Sequence, residues 1–268
     1  MWIPFVILAL LILLYLWCLM GRRKHPDMEK FYGWSYAHRG LHDAQKPENS
    51  MAAFRASLEA GYGIELDIHL LKDGNLAVIH DSSLLRVTGK EGNVEDLTTE
   101  ELKRYFLNGT EETIPQFQQV LDLYAGKAPL IVELKCYKNN HVALCEAACR
   151  MLDQYPGLYC MESFDPRVVR WLRKHRPDIV RGQLSENWMP KKIPVPWILK
   201  FILTYHLGNF FTRPDFVAYK FEDRKVFGTW ICRNVLRIPG VSWTLKTRQQ
   251  YDAAVKEGWI PIFEGFRV

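Results

Sequence analysis

Apolar and polar residues alternate most clearly over Gly63–Leu70, where Ile64, Leu66, Ile68 and Leu70 are spaced by Glu65, Asp67 and His69. A period of two is the signature of a β-strand, and it projects Glu65 and Asp67 from one face. Asp73-Gly74 then reads as a tight turn, because Gly tolerates positive φ. The apolar run from Leu76 to Ile79 brings the chain back to His80-Asp81. A local hairpin therefore delivers two acids and a histidine close together.

The flanking pattern extends this start into a fold. Residues 35–40 read as a short strand ending in charge, and helices are expected over 47–60, 98–106 and 114–125. Thr98-Thr-Glu-Glu101 resembles a helix start, and 82–94 reads as loop. From Pro129 onward strand and helix alternate. Strands are expected over 129–135, 158–164, 179–184, 216–221, 241–245 and 260–263, with helices over 141–155, 166–175, 226–236 and 247–257. Repeated β-then-α units argue for a parallel sheet with helical crossovers. Of the nine strands, one is the return arm of the hairpin. The eight that remain favour an α/β fold of the (β/α)8 TIM-barrel type over an open doubly wound sheet. No Gly-rich phosphate loop opens a helix after the first strand, which argues against dinucleotide binding.

Two apolar segments break the rhythm. Trp2 to Met20 carries no charge and is followed by Arg22-Arg23-Lys24. Its 19 residues would span about 28 Å as a helix, close to the bilayer core. A signal peptide fits poorly, because no cation precedes the run and no small-x-small site follows it. The expectation is a transmembrane anchor over 1–21, a linker over 22–34 and one large domain over 35–268. The basic flank implies a single-pass membrane protein whose large domain is cytoplasmic. The second segment, 193–211, is aromatic and nearly uncharged. It reads either as a buried helix capping the barrel or as an interfacial segment that dips into lipid.

Composition adds bounds. Of 268 residues, 48% are hydrophobic and 24% charged, ordinary for a globular protein with a sizeable core. The net charge of +5 comes without a dense Lys/Arg stripe interleaved with aromatics, so nucleic acid is not an expected partner. Six cysteines without a CxxC pair read as reduced thiols.

In a barrel of this type functional groups gather at the C-terminal ends of the strands. There the pattern puts His38 and Arg39, Glu65 and Asp67, His80, Glu133 and Lys135, Ser163-Phe164 and Trp243. One Glu-x-Asp on a strand is usually an exposed face. An inward set of three acids is different, because unpaired it would be disfavoured by repulsion and desolvation. A hard divalent cation, Mg²⁺ or Ca²⁺, is the natural neutraliser of carboxylates. Zn²⁺ is less suited, since the histidines are then needed for proton transfer.

His38-Arg39-Gly40, Pro47-Glu48-Asn49, Glu65-Leu-Asp67, Lys72-Asp73-Gly74, His80-Asp81, Glu133-Leu-Lys135, Ser163-Phe164 and Trp243-Thr244 stand in the order of the glycerophosphodiester phosphodiesterase family. The chain resembles that family from Tyr36 to its end. The resemblance implies a TIM-type barrel, one bound divalent cation, and hydrolysis of a glycerophosphodiester to sn-glycerol 3-phosphate and an alcohol. It makes Glu65, Asp67 and Glu133 metal ligands and His38 and His80 the general acid/base pair. Arg39 and Lys135 become phosphate contacts, with Trp243 and Phe164 lining the substrate site. It also implies that the glycerol 2-hydroxyl attacks first, giving a cyclic phosphate that water opens.

Departures are local. Ser50 stands where Thr is common, Trp243-Thr-Leu-Lys replaces the usual Trp-Thr-Val-Asn, and Ile262-Phe-Glu-Gly-Phe-Arg-Val268 replaces a strand ending in Thr-Asp. These spare the acids and histidines but bear on the alcohol. With the apolar segments they keep open a lysophospholipid substrate, or phospholipase C- or D-like hydrolysis of bilayer lipid. From another class, a silent membrane-anchored scaffold would require a lost histidine or acid. Oligomeric state is left open.

Overall fold

A computed structural model describes residues 2–22 and 24–268. The hairpin forms as its pattern dictates: β2 (Gly63–Leu70) pairs antiparallel with β3 (Leu76–Val78), after β1 (Tyr36–His38). The remaining strands are β4 (Leu130–Leu134), β5 (Tyr159–Ser163), β6 (Arg181–Ser185), β7 (Phe216–Lys220), β8 (Gly240–Leu245) and β9 (Ile260–Phe263). All except β3 run parallel, and β1 pairs with both β2 and β9, which closes an eight-stranded TIM-type barrel.

The alternation of two sorts each strand between two apolar layers. Ile64, Leu66 and Ile68 of β2 and Leu130, Val132 and Leu134 of β4 face outward onto the helices. Those helices include α2 (Met51–Glu59), α3 (Phe117–Tyr124), α4 (His141–Leu152) and α5 (Pro166–His175). Ile131 points inward with Tyr36, Cys160, Phe216, Val241 and Ile260, and the 3-10 turn Pro26–Phe31 closes the floor with Met28 and Phe31. On β2 the inward positions are acids, so the charged layer lies above an apolar one. Helix ends follow local chemistry. Ser50 caps α2 by accepting from the Ala53 N–H (3.1 Å), and Asp165 with Pro166 starts α5, whose last turn is basic.

Some expected boundaries shift. The helix expected over 98–106 is a single turn, Thr99–Leu102, with its Thr98/Glu101 capping box intact. It stops because Phe106 turns back to bridge Thr113. The helix expected over 226–236 starts as Phe227–Trp230 and widens into a π-turn, Ile231–Val235. The six cysteines are free thiols.

The expected membrane-spanning helix over 1–21 is not met. Helix α1 covers Ile3–Leu19, 17 residues, or about 25 Å of rise against a bilayer core of about 30 Å. Among the described residues no helix is long and apolar enough to cross a membrane. Met1 and Arg23, the middle of the basic flank, lie outside the described residues. The apolar segment 193–211 forms α6 (Trp197–Thr204) and α7 (Asn209–Thr212) on the crossover from β6 to β7. It is not a buried cap: Thr204, Asn209 and Thr212 are buried while Trp197 is 70% exposed.

Gly40 links β1 to α2. Its φ of +83° falls in the left-handed region, and a Cβ there would lie 2.9 Å from the carbonyl carbon and Cβ of Ala53. Gly40→Ala should lower the unfolding free energy by about 1–3 kcal/mol, read as a drop in the urea midpoint at unchanged m-value.

Candidate active site

Strand register assembles the acids. Asp67 stands opposite Glu133, Glu133 opposite Glu162, and Glu65 opposite His38. All four carboxylates are buried. The Lys135 ammonium lies 2.7 Å from Glu133 Oε1 and 3.0 Å from Asp67 Oδ1. Arg39 Nε is 3.4 Å from Asp67 Oδ2, and Asn49 donates to that same oxygen at 2.9 Å. The Arg39 N–H donates to Glu65 Oε2 at 3.2 Å.

Charge is out of balance in this nest. Burial raises Glu65, and repulsion from Asp67 and Glu133 adds to it. Burial raises Glu162 well above the carboxylate range, with Glu133 adding to it. Burial likewise pushes Glu133 up to about 7 against the pull of Lys135. Asp67 is the exception: burial would raise it, but Lys135, His80 and Arg39 hold it well below its ordinary value.

Both histidines are oriented by carboxylates. His38 Nδ1 hydrogen-bonds Glu264 Oε2, while its Nε2 lies 3.8 Å from Glu65 Oε2. His80 Nδ1 meets Asp81 Oδ1 at 2.6 Å. An ionised carboxylate only accepts, so each Nδ1 carries the proton and each neutral ring keeps a lone pair on Nε2. Burial lowers His38 against the hydrogen bond to Glu264, and burial lowers His80 to about 4 against the pull of Asp67. Both rings are therefore neutral near pH 7. His69, itself buried, meets Glu95 at 2.6 Å and the His80 carbonyl at 3.1 Å, pinning the loop behind His80.

The two halves are tied together away from the floor. Arg86 donates to Asp81 and, at 2.9 and 2.7 Å, to both oxygens of Glu48, which also accepts from Arg39 at 2.9 Å. Such forked pairs fix geometry more than they add stability. His38, Arg39, Glu65, His80, Glu133, Lys135 and Glu162 line a chamber of about 40 Å³ that also holds Phe164 and Trp243. These two rings meet edge to face, with centroids 5.6 Å apart. An outer groove of about 410 Å³ shares His80, Glu133, Lys135 and Phe164 with the chamber.

The donor set fits a divalent cation. Glu65, Asp67 and Glu133 each offer an oxygen, and these atoms lie within 4.8 Å of one another. Glu162 Oε2, also buried, has no hydrogen-bond partner. Four carboxylates against Arg39 and Lys135 leave an excess of negative charge that one hard cation would offset.

The profile of the Glycerophosphoryl diester phosphodiesterase family matches residues 38–218. The chain belongs to this family. A glycerophosphodiester phosphodiesterase of Caldanaerobacter subterraneus subsp. tengcongensis is 34% identical over 83% of this chain and 89% of that protein. One from Bacillus altitudinis is 42% identical, over 46% of this chain and 48% of that protein. The solved structure of an Oleispira antarctica phosphodiesterase, in complex with the product sn-glycerol-3-phosphate, superposes with a TM-score of 0.71 at 21% identity. That match covers 88% of this chain and 94% of the other.

Of the site residues expected from the pattern, His38, Arg39, Glu65, His80, Glu133, Lys135, Phe164 and Trp243 line this chamber, and Asp67 lies behind it against Lys135 and Arg39. The pattern named Asp81 without a role and missed three more residues: Glu162, Glu264 and Arg86. Glu162 had a signal, because it ends an apolar strand as Glu133 does. Glu264 and Arg86 had none, since His38 lies 226 residues from Glu264 and Glu48 lies 38 from Arg86. Glu48 and Asn49 brace Arg39 and Asp67 from the start of α2.

Two outcomes follow from this geometry. Glu133 near 7 is part-protonated at neutral pH, so a cation must displace its proton. Glu65 is raised as well, so Mg²⁺ or Ca²⁺ affinity should rise as pH increases through 7 and go on rising above it until both carboxyl groups have lost their protons. Calorimetry in buffers of different ionisation enthalpy reads the released proton. Glu264→Gln replaces an anchor that only accepts with one that also donates. It should cut kcat by about 10–100-fold with KM nearly unchanged.

Proposed function

We propose that this chain is a metal-dependent phosphodiesterase that hydrolyses glycerophosphodiesters to sn-glycerol 3-phosphate and an alcohol. The observation that carries the reading is the pair of carboxylate-oriented histidines flanking a buried acid nest that also holds Arg39 and Lys135. A phosphodiester is a monoanion whose charge repels nucleophiles. Arg39 and Lys135 offset that charge and its growth in the transition state. Glu65, Asp67 and Glu133 would hold the cation, which when bound supplies Lewis-acid stabilisation of the phosphoryl oxygens.

The histidines then move the protons. The Nε2 lone pair of one ring takes the proton of the attacking hydroxyl. The other ring takes a proton from solvent at Nε2 when the anionic phosphodiester lies beside it, and gives that proton to the departing alkoxide as the P–O bond breaks. With the glycerol 2-hydroxyl as nucleophile this step closes a cyclic phosphate, and water opens it with the roles reversed. Phe164 and Trp243 offer an apolar wall to the glycerol carbons.

A second reading concerns the alcohol. The outer groove is open enough for large leaving groups, and exposed apolar residues of α6 stand on the same molecule. A lysophospholipid cleaved between phosphate and alcohol would suit both. Products separate the readings: glycerol 3-phosphate from glycerophosphocholine against lysophosphatidic acid from lysophosphatidylcholine, each with Mg²⁺, Ca²⁺ or chelator. His80→Ala should lower kcat on the preferred substrate by about 10²–10⁴-fold at an unchanged melting temperature. Near-wild-type turnover by that variant would sink the assigned role.

A further inference from the structure

Helix α1 packs against the barrel only near its C-terminal end, through Tyr15, Leu16 and Leu19, among the described residues. From Trp2 to Leu14 its large apolar side chains are exposed, Trp2 to 79% and Leu14 to 56%. Its base, by contrast, is held firmly. The buried Leu19 carbonyl accepts from Asn209 Nδ2 at 3.0 Å and from the Cys232 thiol. Arg213 donates to the Trp17 and Met20 carbonyls, and Trp17 stacks on Phe210 at 5.3 Å. The shaft is thus fixed relative to the barrel between two elements, α7 on one side and the π-turn on the other.

Each of those elements carries an exposed aromatic ridge. On the α6–α7 side stand Trp197, Phe201 and Phe210; on the other stand Phe227 and Trp230, stacked nearly parallel. Exposed aromatic residues gathered on both sides of an exposed apolar helix mark an interaction surface.

Charge selects the occupant. The stretch 187–214 contains no acidic residue. Along the α7 side, Arg170 caps the Phe211 ring at 3.7 Å and Arg173 donates to the Phe210 and Phe211 carbonyls. Among the described residues Arg170, Arg173, Arg213, Lys192 and Lys200 form no ion pair. On the Trp230 side a groove of about 730 Å³ holds Arg224, Lys225, Arg233 and Arg237 against one acid, Glu257. Arg224 is spent on Glu257 and Arg233 on backbone carbonyls, while Lys225 and Arg237 remain exposed and unpaired. A two-fold pairing of this face with a second copy would set these cations against themselves.

We propose that α1 and its two aromatic ridges dock this protein onto the surface of an anionic phospholipid leaflet. The apolar shaft and rings enter the acyl boundary, and the cations meet lipid phosphates at its edge. The docking stands independently of the catalytic reading, because none of its residues lines the acid chamber.

The test is flotation of the full chain, made by cell-free synthesis with vesicles of phosphatidylcholine alone or with added phosphatidylglycerol. The chain should float with the anionic vesicles and recover less with neutral ones, and the difference should shrink as salt rises to about 1 M. Lys192→Glu/Arg237→Glu, at exposed positions, should lower recovery on anionic vesicles on the order of 10-fold. Trp197→Ser/Phe201→Ser should lower it on both vesicle types. Both variants should keep the wild-type melting temperature and turnover of a soluble glycerophosphodiester. Equal flotation with neutral and anionic vesicles would overturn the proposal. So would self-association that the Trp197→Ser/Phe201→Ser variant abolishes.

Discussion

Four carboxylates buried around two cations are the arrangement on which the rest of this molecule depends. Glu65, Asp67, Glu133 and Glu162 sit on adjacent strands, where their mutual repulsion and loss of hydration would be prohibitive in an apolar interior. Lys135 bridges Asp67 and Glu133, and Arg39 approaches the other oxygen of Asp67. The compensation is incomplete, as the upward shifts of Glu65, Glu133 and Glu162 record. A site left in this state is suited to bind positive charge, and with a cation in place to receive an anionic phosphodiester.

Placing that nest required an inversion of strand chemistry. In β2 and β4 the apolar face looks outward to the helices, into the largest cluster of the core. The lower layers of the barrel interior are apolar, filled by Tyr36, Phe216 and the residues of the Pro26–Phe31 turn. Stability and chemistry are therefore separated along the barrel axis. The helical layer and the floor hold the strands in register, and that register sets the spacing of the acids.

The histidines are governed by a second constraint. Each is held at Nδ1 by a carboxylate that cannot donate, which leaves Nε2 to the reaction. His80 takes its carboxylate from the next residue, whereas His38 takes it from the end of the last strand. The Arg86–Glu48–Arg39 bridge ties the two together, so closure of the barrel and alignment of the proton-transfer groups are one event. At the periphery a helix clasped at its base and two aromatic ridges lie beside the barrel, joined to it through the packing of Leu19 against Val217.

The sequence by itself determined the order of elements, the strand count and the identity of the inward acids. Those rest on local rules: a period of two places i and i+2 on one face, and a Gly-bearing turn folds a hairpin back on itself. Only the tertiary structure decided that Glu162 completes the nest, that Glu264 orients His38 and that Arg86 bridges the two halves. It also decided that α1 is a 17-residue shaft held at one end, and that 193–211 turns its aromatic residues outward. These facts depend on contacts between residues tens to hundreds of positions apart, which no local periodicity encodes. Barrel closure brings them within hydrogen-bonding distance, and burial then sets which groups carry charge.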